Sequence, residues 1–236
     1  MAKKQNGGGA LAVVEPPKAL MEKYGGGIGH ISEGQSQATP RLKVIQAMSA
    51  AALKEEHGEG AVILQPDGLL VARKGEPFNA IPTFRWPSWA EWASLDEGME
   101  NPIVFETRDP KHPVAIRAKS RNRVDENGHE YREHLNYAMM LETGHVAVYS
   151  WSRGGWKIGV RLGNMLASRG LDIFCNRLTL TSSLTANKRN QSWYVLDPRS
   201  AADPWVTDQA ELDRLRELTL GFVALHEAEK LSVAPM

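Results

Sequence analysis

Three pairs of short apolar runs, each pair parted by a few residues of turn chemistry, fill most of the chain between residues 61 and 196. Such a pattern fits a small antiparallel β structure better than a helical bundle or a doubly wound sheet. The first pair, Ala61 to Leu64 and Leu69 to Ala72, flanks Gln65-Pro66-Asp67-Gly68, and Asp-Gly tolerates the positive φ of a tight hairpin. The second, Tyr131 to Leu141 and His145 to Trp151, is split by Glu142-Thr143-Gly144, and the third, Ile173 to Leu180 and Ser192 to Leu196, by the polar run Thr185 to Asn190. Phe78 to Trp86, Ile103 to Phe105 and Val114 to Ala118 read as further strands, with Trp89 and Trp92 in a polar loop or short helix between them.

Helical spacing occurs in three places. Met48 to Leu53 is alanine-rich and predicts a helical turn or short helix. Ile158, Leu162, Met165 and Leu166 recur at helical intervals before Gly170, a natural C-cap. Asp208 is a plausible N-cap for an amphipathic helix carrying Leu212, Leu215, Leu218, Phe222 and Leu225. The predicted architecture is mainly β with α elaborations: a small β-barrel of the oligonucleotide-binding type with an inserted helix and a C-terminal amphipathic helix. Residues 1–40, with two triple-glycine runs and three prolines, read as a flexible arm, 41–206 as the barrel domain, and 207–236 as the terminal helix and a short tail.

Composition excludes several classes. The only cysteine, Cys175, rules out an internal disulfide or a multi-cysteine zinc cluster and reads as a packing residue within a strand. No apolar run approaches the ~18 residues of a membrane span, so a cytoplasmic location without membrane contact is expected. The triple glycines lack the Lys-Ser/Thr ending of a phosphate-binding loop, and no nucleotide cofactor is expected. Seven histidines form none of the familiar zinc patterns, although His129, Glu130 and His134 could approach one cation from a strand, a face that Arg132 would oppose. Asp125-Glu126 beside Asn127-Gly128 is turn chemistry. No serine sits in a nucleophile elbow, so neither a catalytic residue nor a metal site is expected.

Net charge is zero, but it is unevenly spread. Residues 111–199 carry 14 basic against 7 acidic residues, whereas 200–236 carry 3 against 7. A basic middle suggests an anion-binding face and an acidic end a docking or repelling segment. Within the middle, cations interleave with aromatics. Lys119, Arg121, Arg123 and Arg132 precede Tyr137, Tyr149 and Trp151; Arg153, Trp156, Lys157 and Arg161 follow; Lys188 and Arg189 stand before Trp193. Cations can track a phosphodiester backbone and exposed rings can stack on unpaired bases. The competing reading of each ring is that it fills the barrel core.

Pro40-Arg41-Leu42-Lys43-Val44-Ile45-Gln46, the block from Lys157 through Leu180 to Ser192-Trp193-Tyr194-Val195, then Trp205 and an acidic-leaning terminal helix succeed one another over residues 41–225. In this order of features the chain resembles the single-stranded-DNA-binding proteins of tailed bacteriophages, which are built on an oligonucleotide-binding barrel. The resemblance implies sequence-nonspecific coating of single-stranded DNA during replication, recombination and repair, without catalysis. It also implies contacts of the acidic end with phage or host replication proteins, and self-association. The rival expectations are a phage assembly protein that uses its β domain for protein contacts, and a metal-dependent nuclease with scattered carboxylates.

Overall fold

A computed structural model describes residues 39–94, 103–187 and 190–228. The strands are β1 Arg41–Val44, β2 Val62–Gln65, β3 Leu69–Ala72, β4 Pro77–Trp92, β5 Ile103–Thr107, β6 Glu130–Leu141, β7 Val146–Ser152, β8 Asn176–Ala186 and β9 Ser192–Trp205. The helices are α1 Ala51–His57, α2 Pro113–Lys119, α3 Trp156–Ser168 and α4 Gln209–Glu227. The strands form one sheet in the order β3-β2-β1-β7-β6-β4-β8-β9, with β5 added to β4. Every pairing is antiparallel except β1 with β7. The sheet curls into a half-barrel.

The curl follows from where the side chains meet. Leu42 and Leu64 from one end of the sheet, Leu135, Tyr137 and Met139 from its middle, and Leu178, Leu180 and Leu196 from the other end share one buried cluster. Strands so far apart in the sheet can share a core only if that face is the inside of the curl. Helix α3 adds Leu162 and Leu166 to the same cluster. It approaches closely because Gly155, Gly159 and Gly163 recur every four residues on its inner side. A Cβ on Gly159 would lie 2.9 Å from Trp151 Cβ, and Tyr137 donates its hydroxyl to the Gly159 carbonyl at 2.9 Å. The alternate residues of β6 and β4 face outward, where α4 buries Leu215 against Ile81 and Met140, and Phe222 against Trp86 and Ala138. Each such burial contributes roughly 1.5–3 kcal/mol. The terminal helix is therefore packed into the sheet and belongs to the same unit as the strands.

The half-barrel closes through side chains. Gln46, just beyond β1, donates from Nε2 to the Tyr194 carbonyl and accepts the Tyr194 N–H at Oε1, both at 2.8 Å. On β7, Trp151 Nε1 donates to the Leu196 carbonyl at 3.0 Å, while the Tyr149 hydroxyl accepts the Leu196 N–H at 3.3 Å. The main-chain groups that an edge strand would leave unpaired are thus satisfied at Tyr194 and Leu196.

A second polar line crosses the outer face. Arg41 donates to Ser150 Oγ (2.9 Å), Ser150 to Asn136 Oδ1 (2.6 Å), Asn136 to Ser88 Oγ (2.8 Å) and Ser88 to Glu106 (2.6 Å). Five strands are joined by this chain.

The first two predicted hairpins and the helices at α3 and α4 occur where expected, the third hairpin's first strand is shifted to Asn176–Ala186, and Asp208 caps α4 by accepting the Glu211 N–H at 2.8 Å. Four expectations are corrected. Val114 to Ala118 lies in helix α2, because Pro113 starts the helix and His112 Nδ1 accepts the Val114 N–H at 3.3 Å. Trp89 and Trp92 lie in β4, which continues through Pro82 and Pro87. Between its pairings with β8 and β5 that strand has only β6 beside it, so a missing N–H there is tolerated. Cys175 ends a 3₁₀ turn, Ile173–Cys175, and is packed beside the cluster under α4 rather than within a strand. The helix after Ile45 begins at Ala51, not Met48. The expected N-terminal arm falls, apart from Thr39 and Pro40, outside the described residues. No described helix is long and apolar enough to cross a membrane.

Candidate nucleic-acid interface

Three of the five rings expected to stack on bases are core residues. Tyr137 is 0% exposed, Trp151 1% and Tyr149 9%. Trp151 meets Tyr137 and Tyr149 edge to face at 5.2 and 4.6 Å, beneath α3. No base can reach their faces while the inner core is closed. Burial pushes both tyrosine hydroxyls up to about 12. Sequence spacing could not separate these rings from exposed ones, because β6 and β7 carry aromatics on the face that happens to lie inside the curl.

Trp156 and Trp193 are half-buried at the edge of that core. Trp193 lies across Gly154, where any Cβ would overlap its ring. Gly154 belongs to a 3₁₀ turn, Arg153–Gly155, that redirects the chain from β7 into α3, and Arg153 takes φ +47° to make that turn. A non-glycine residue in the left-handed region is uncommon outside such tight corners. From this corner Arg153, Lys157 and Arg161 follow at four-residue spacing along the exposed side of α3.

These cations are not equivalent. Arg153 pairs with Glu130, and Arg161 pairs with Asp197 at 2.5 Å, a carboxylate that also meets Arg199 at 3.4 Å. Lys157 is exposed and has no ion-pair partner among the described residues. Arg132, expected to contact phosphate, is instead a packed residue. Its guanidinium stacks on Trp92 at 3.9 Å and bonds Glu130 at 3.1 Å. Burial, with Arg153 nearby, lowers its pKa to about 10. Burial alone would raise the Glu130 carboxyl, but Arg132 and Arg153 together hold it below the usual range.

Lys119, Arg121 and Arg123 form a second exposed group at the end of α2 and in the loop after it. Lys119 Nζ lies 4.3 Å from the Trp89 ring centroid, and Arg123 Nε donates to the Ser120 carbonyl at 3.3 Å. Lys188 and Arg189 lie outside the described residues.

Two arrangements were not legible from spacing. His134 is fully buried beside Trp92, and neither ring nitrogen has a hydrogen-bond partner among the described residues. Burial first, then Arg41, Arg132 and Arg153, depresses its pKa to about 3, so it is neutral at physiological pH. Its ring is not among the ligand atoms that gather around His129, so the expected grouping of His129, Glu130 and His134 is not formed. His129 instead faces Glu91 on β4, Nδ1 to Oε1 at 2.7 Å, with Asp125 close by. Asp125 is the turn residue that the sequence predicts, its Oδ1 accepting the N–H groups of Asn127 (3.0 Å) and His129 (2.9 Å). Glu91 comes from a strand more than thirty residues away, so no local motif could have joined it to them.

In comparisons with known proteins, no family model, no curated protein and no solved structure matches the chain.

Proposed function

We propose that the protein binds single-stranded DNA without sequence preference and that its curled sheet is an elaborated barrel of the oligonucleotide-binding type. The observation that carries this reading is the partly buried Trp193 laid over Gly154 beside a row of cations, Arg153, Lys157 and Arg161. A ring with an accessible π-face can stack on any base, and cations at regular spacing can follow a phosphate backbone. Lys119, Arg121 and Arg123 extend the positive surface for a longer strand. The role is non-catalytic. It is that of a cytoplasmic coat for strands exposed transiently in replication, recombination and repair, in keeping with the phage proteins that the chain resembles. The acidic residues of α4 are the proposed contact for replication partners.

Titration of tryptophan fluorescence with oligo-dT, oligo-rU and a matched duplex at two salt concentrations tests it. The expected result is strong quenching by the single strand, weak duplex binding and a steep salt dependence. Failure of all three to alter the fluorescence or to migrate with the protein overturns the proposal in favour of an assembly protein. Divalent-dependent cleavage of the strand would point to a nuclease.

A further inference from the structure

We propose that Glu91, Asp125 and His129 form a binding site for a divalent transition-metal ion, with Zn²⁺ the best match. The three side chains come from two segments, the end of β4 and the turn that leads into β6, and their ligand atoms all lie within 4.8 Å of one another. An ion held at about 2.0–2.2 Å by nitrogen and carboxylate oxygen requires donor atoms about 3.4 Å apart. One pair, His129 Nδ1 and Glu91 Oε1, is at 2.7 Å and must open to admit an ion, while the whole set lies within 4.8 Å. Both side chains are only about one-fifth exposed, at 18% and 20%. One imidazole and two carboxylates suit Zn²⁺, whereas Mg²⁺ prefers an all-oxygen shell.

The surroundings support the same assignment. Asp125 is held on both oxygens, Oδ1 by two backbone N–H groups and Oδ2 by the Tyr131 hydroxyl at 3.0 Å. These partners fix its orientation as outer groups fix metal-ligating carboxylates, and Oδ2, with one donor on it, retains a site for an ion. Without the ion, His129 Nδ1 and Glu91 Oε1 share a hydrogen bond, which the ion replaces. Metal ligands bind in their deprotonated forms, so affinity weakens in acid. The bound ion would also pin the turn at 125–129 to β4, and with it the exposed segment that carries Arg121 and Arg123. The inference stands independently of DNA binding.

Calorimetric titration of the tag-free full-length chain with ZnCl₂ at pH 7.5 should give one site, with affinity lower at pH 5.5 and no comparable response to MgCl₂. Glu91→Gln and His129→Gln should each weaken binding by about tenfold or more, while His145→Gln, in the β6–β7 turn, should not alter it. Hydrogen exchange of the native chain gives a readout that needs no variant: Zn²⁺ should protect the amides of residues 125–131. Absence of a site in the native chain, binding unchanged in both variants, or protection confined to another region would each overturn the proposal.

Discussion

The side chain of Gln46 pairs with the main chain of Tyr194 as a neighbouring strand would, donating to its carbonyl and accepting from its N–H at 2.8 Å in both directions. Tyr194 thus has β8 on one side and a single amide on the other. Gln46→Leu keeps the side-chain volume but leaves both main-chain groups without partners, at a cost of about 1–3 kcal/mol for each. Urea denaturation should show that loss, and the Tyr194 amide should exchange faster in native-state hydrogen exchange. Gln46→Glu keeps the acceptor but sets a carboxylate oxygen against the Tyr194 carbonyl, so at neutral pH it should cost at least as much as Gln46→Leu.

Gly154 and Trp193 form a matched pair. Gly154→Ala should displace the ring by steric overlap while leaving the inner core intact, so tryptophan emission shifts with little loss of stability. Under the proposed function Trp193→Ala weakens binding to oligo-dT by about 1–3 kcal/mol. The double variant should then bind no more weakly than Trp193→Ala alone, because both changes act through one ring.

Ion pairing divides the α3 cations into free and committed. Lys157→Ala should reduce the salt slope of oligo-dT binding by about one unit. Arg161→Ala should reduce it less, since Asp197 already shares that charge. Asp197→Asn should raise affinity and steepen the slope. Filter binding between 50 and 200 mM salt would check all three; equal slopes throughout would remove α3 from the interface.

His134 should make the fold sensitive to acid. Its pKa falls from the ordinary 6.5 to about 3 on folding, so the unfolded chain binds the extra proton between those values. Stability contributed by the neutral ring is complete above pH 6.5 and declines as pH drops toward 3, by up to ~1.4 kcal/mol per unit. His134→Leu removes this group while keeping the site apolar and filled. Thermal melts should find the variant at least as stable at pH 7, with a shallower loss of Tm between pH 6.5 and 4 than the native chain.

The hairpins were legible because Asp67-Gly68 and Thr143-Gly144 are local signals, and α4 because Asp208 and its leucine spacing are local too. What spacing could not supply was the direction in which the sheet curls. Tyr137 and Trp151 look alike in sequence to rings on a binding surface, and only the closure of β9 onto β1 and β7 places them inside. Val114 and Ile116 favour strands by type, yet a proline and a histidine cap turned that segment into a helix. The Glu91, Asp125 and His129 grouping depends on β4 running on past Pro87, which the prolines themselves obscured.

The chain of donors from Arg41 to Glu106 has a direction. Each serine hydroxyl owns one proton, so it can pass the chain on only from guanidinium toward carboxylate, and the Asn136 amide must face one way to fit. A one-residue slip in any of β1, β7, β6, β4 or β5 would turn its member toward the other face and break its bonds in the line, at about 1–3 kcal/mol for each buried group left without a partner. Apolar contacts tolerate approximate alignment, since one methyl group can substitute for another. The polar line does not, and it therefore acts as a proofreading device that accepts a five-strand assembly only when every strand is in phase.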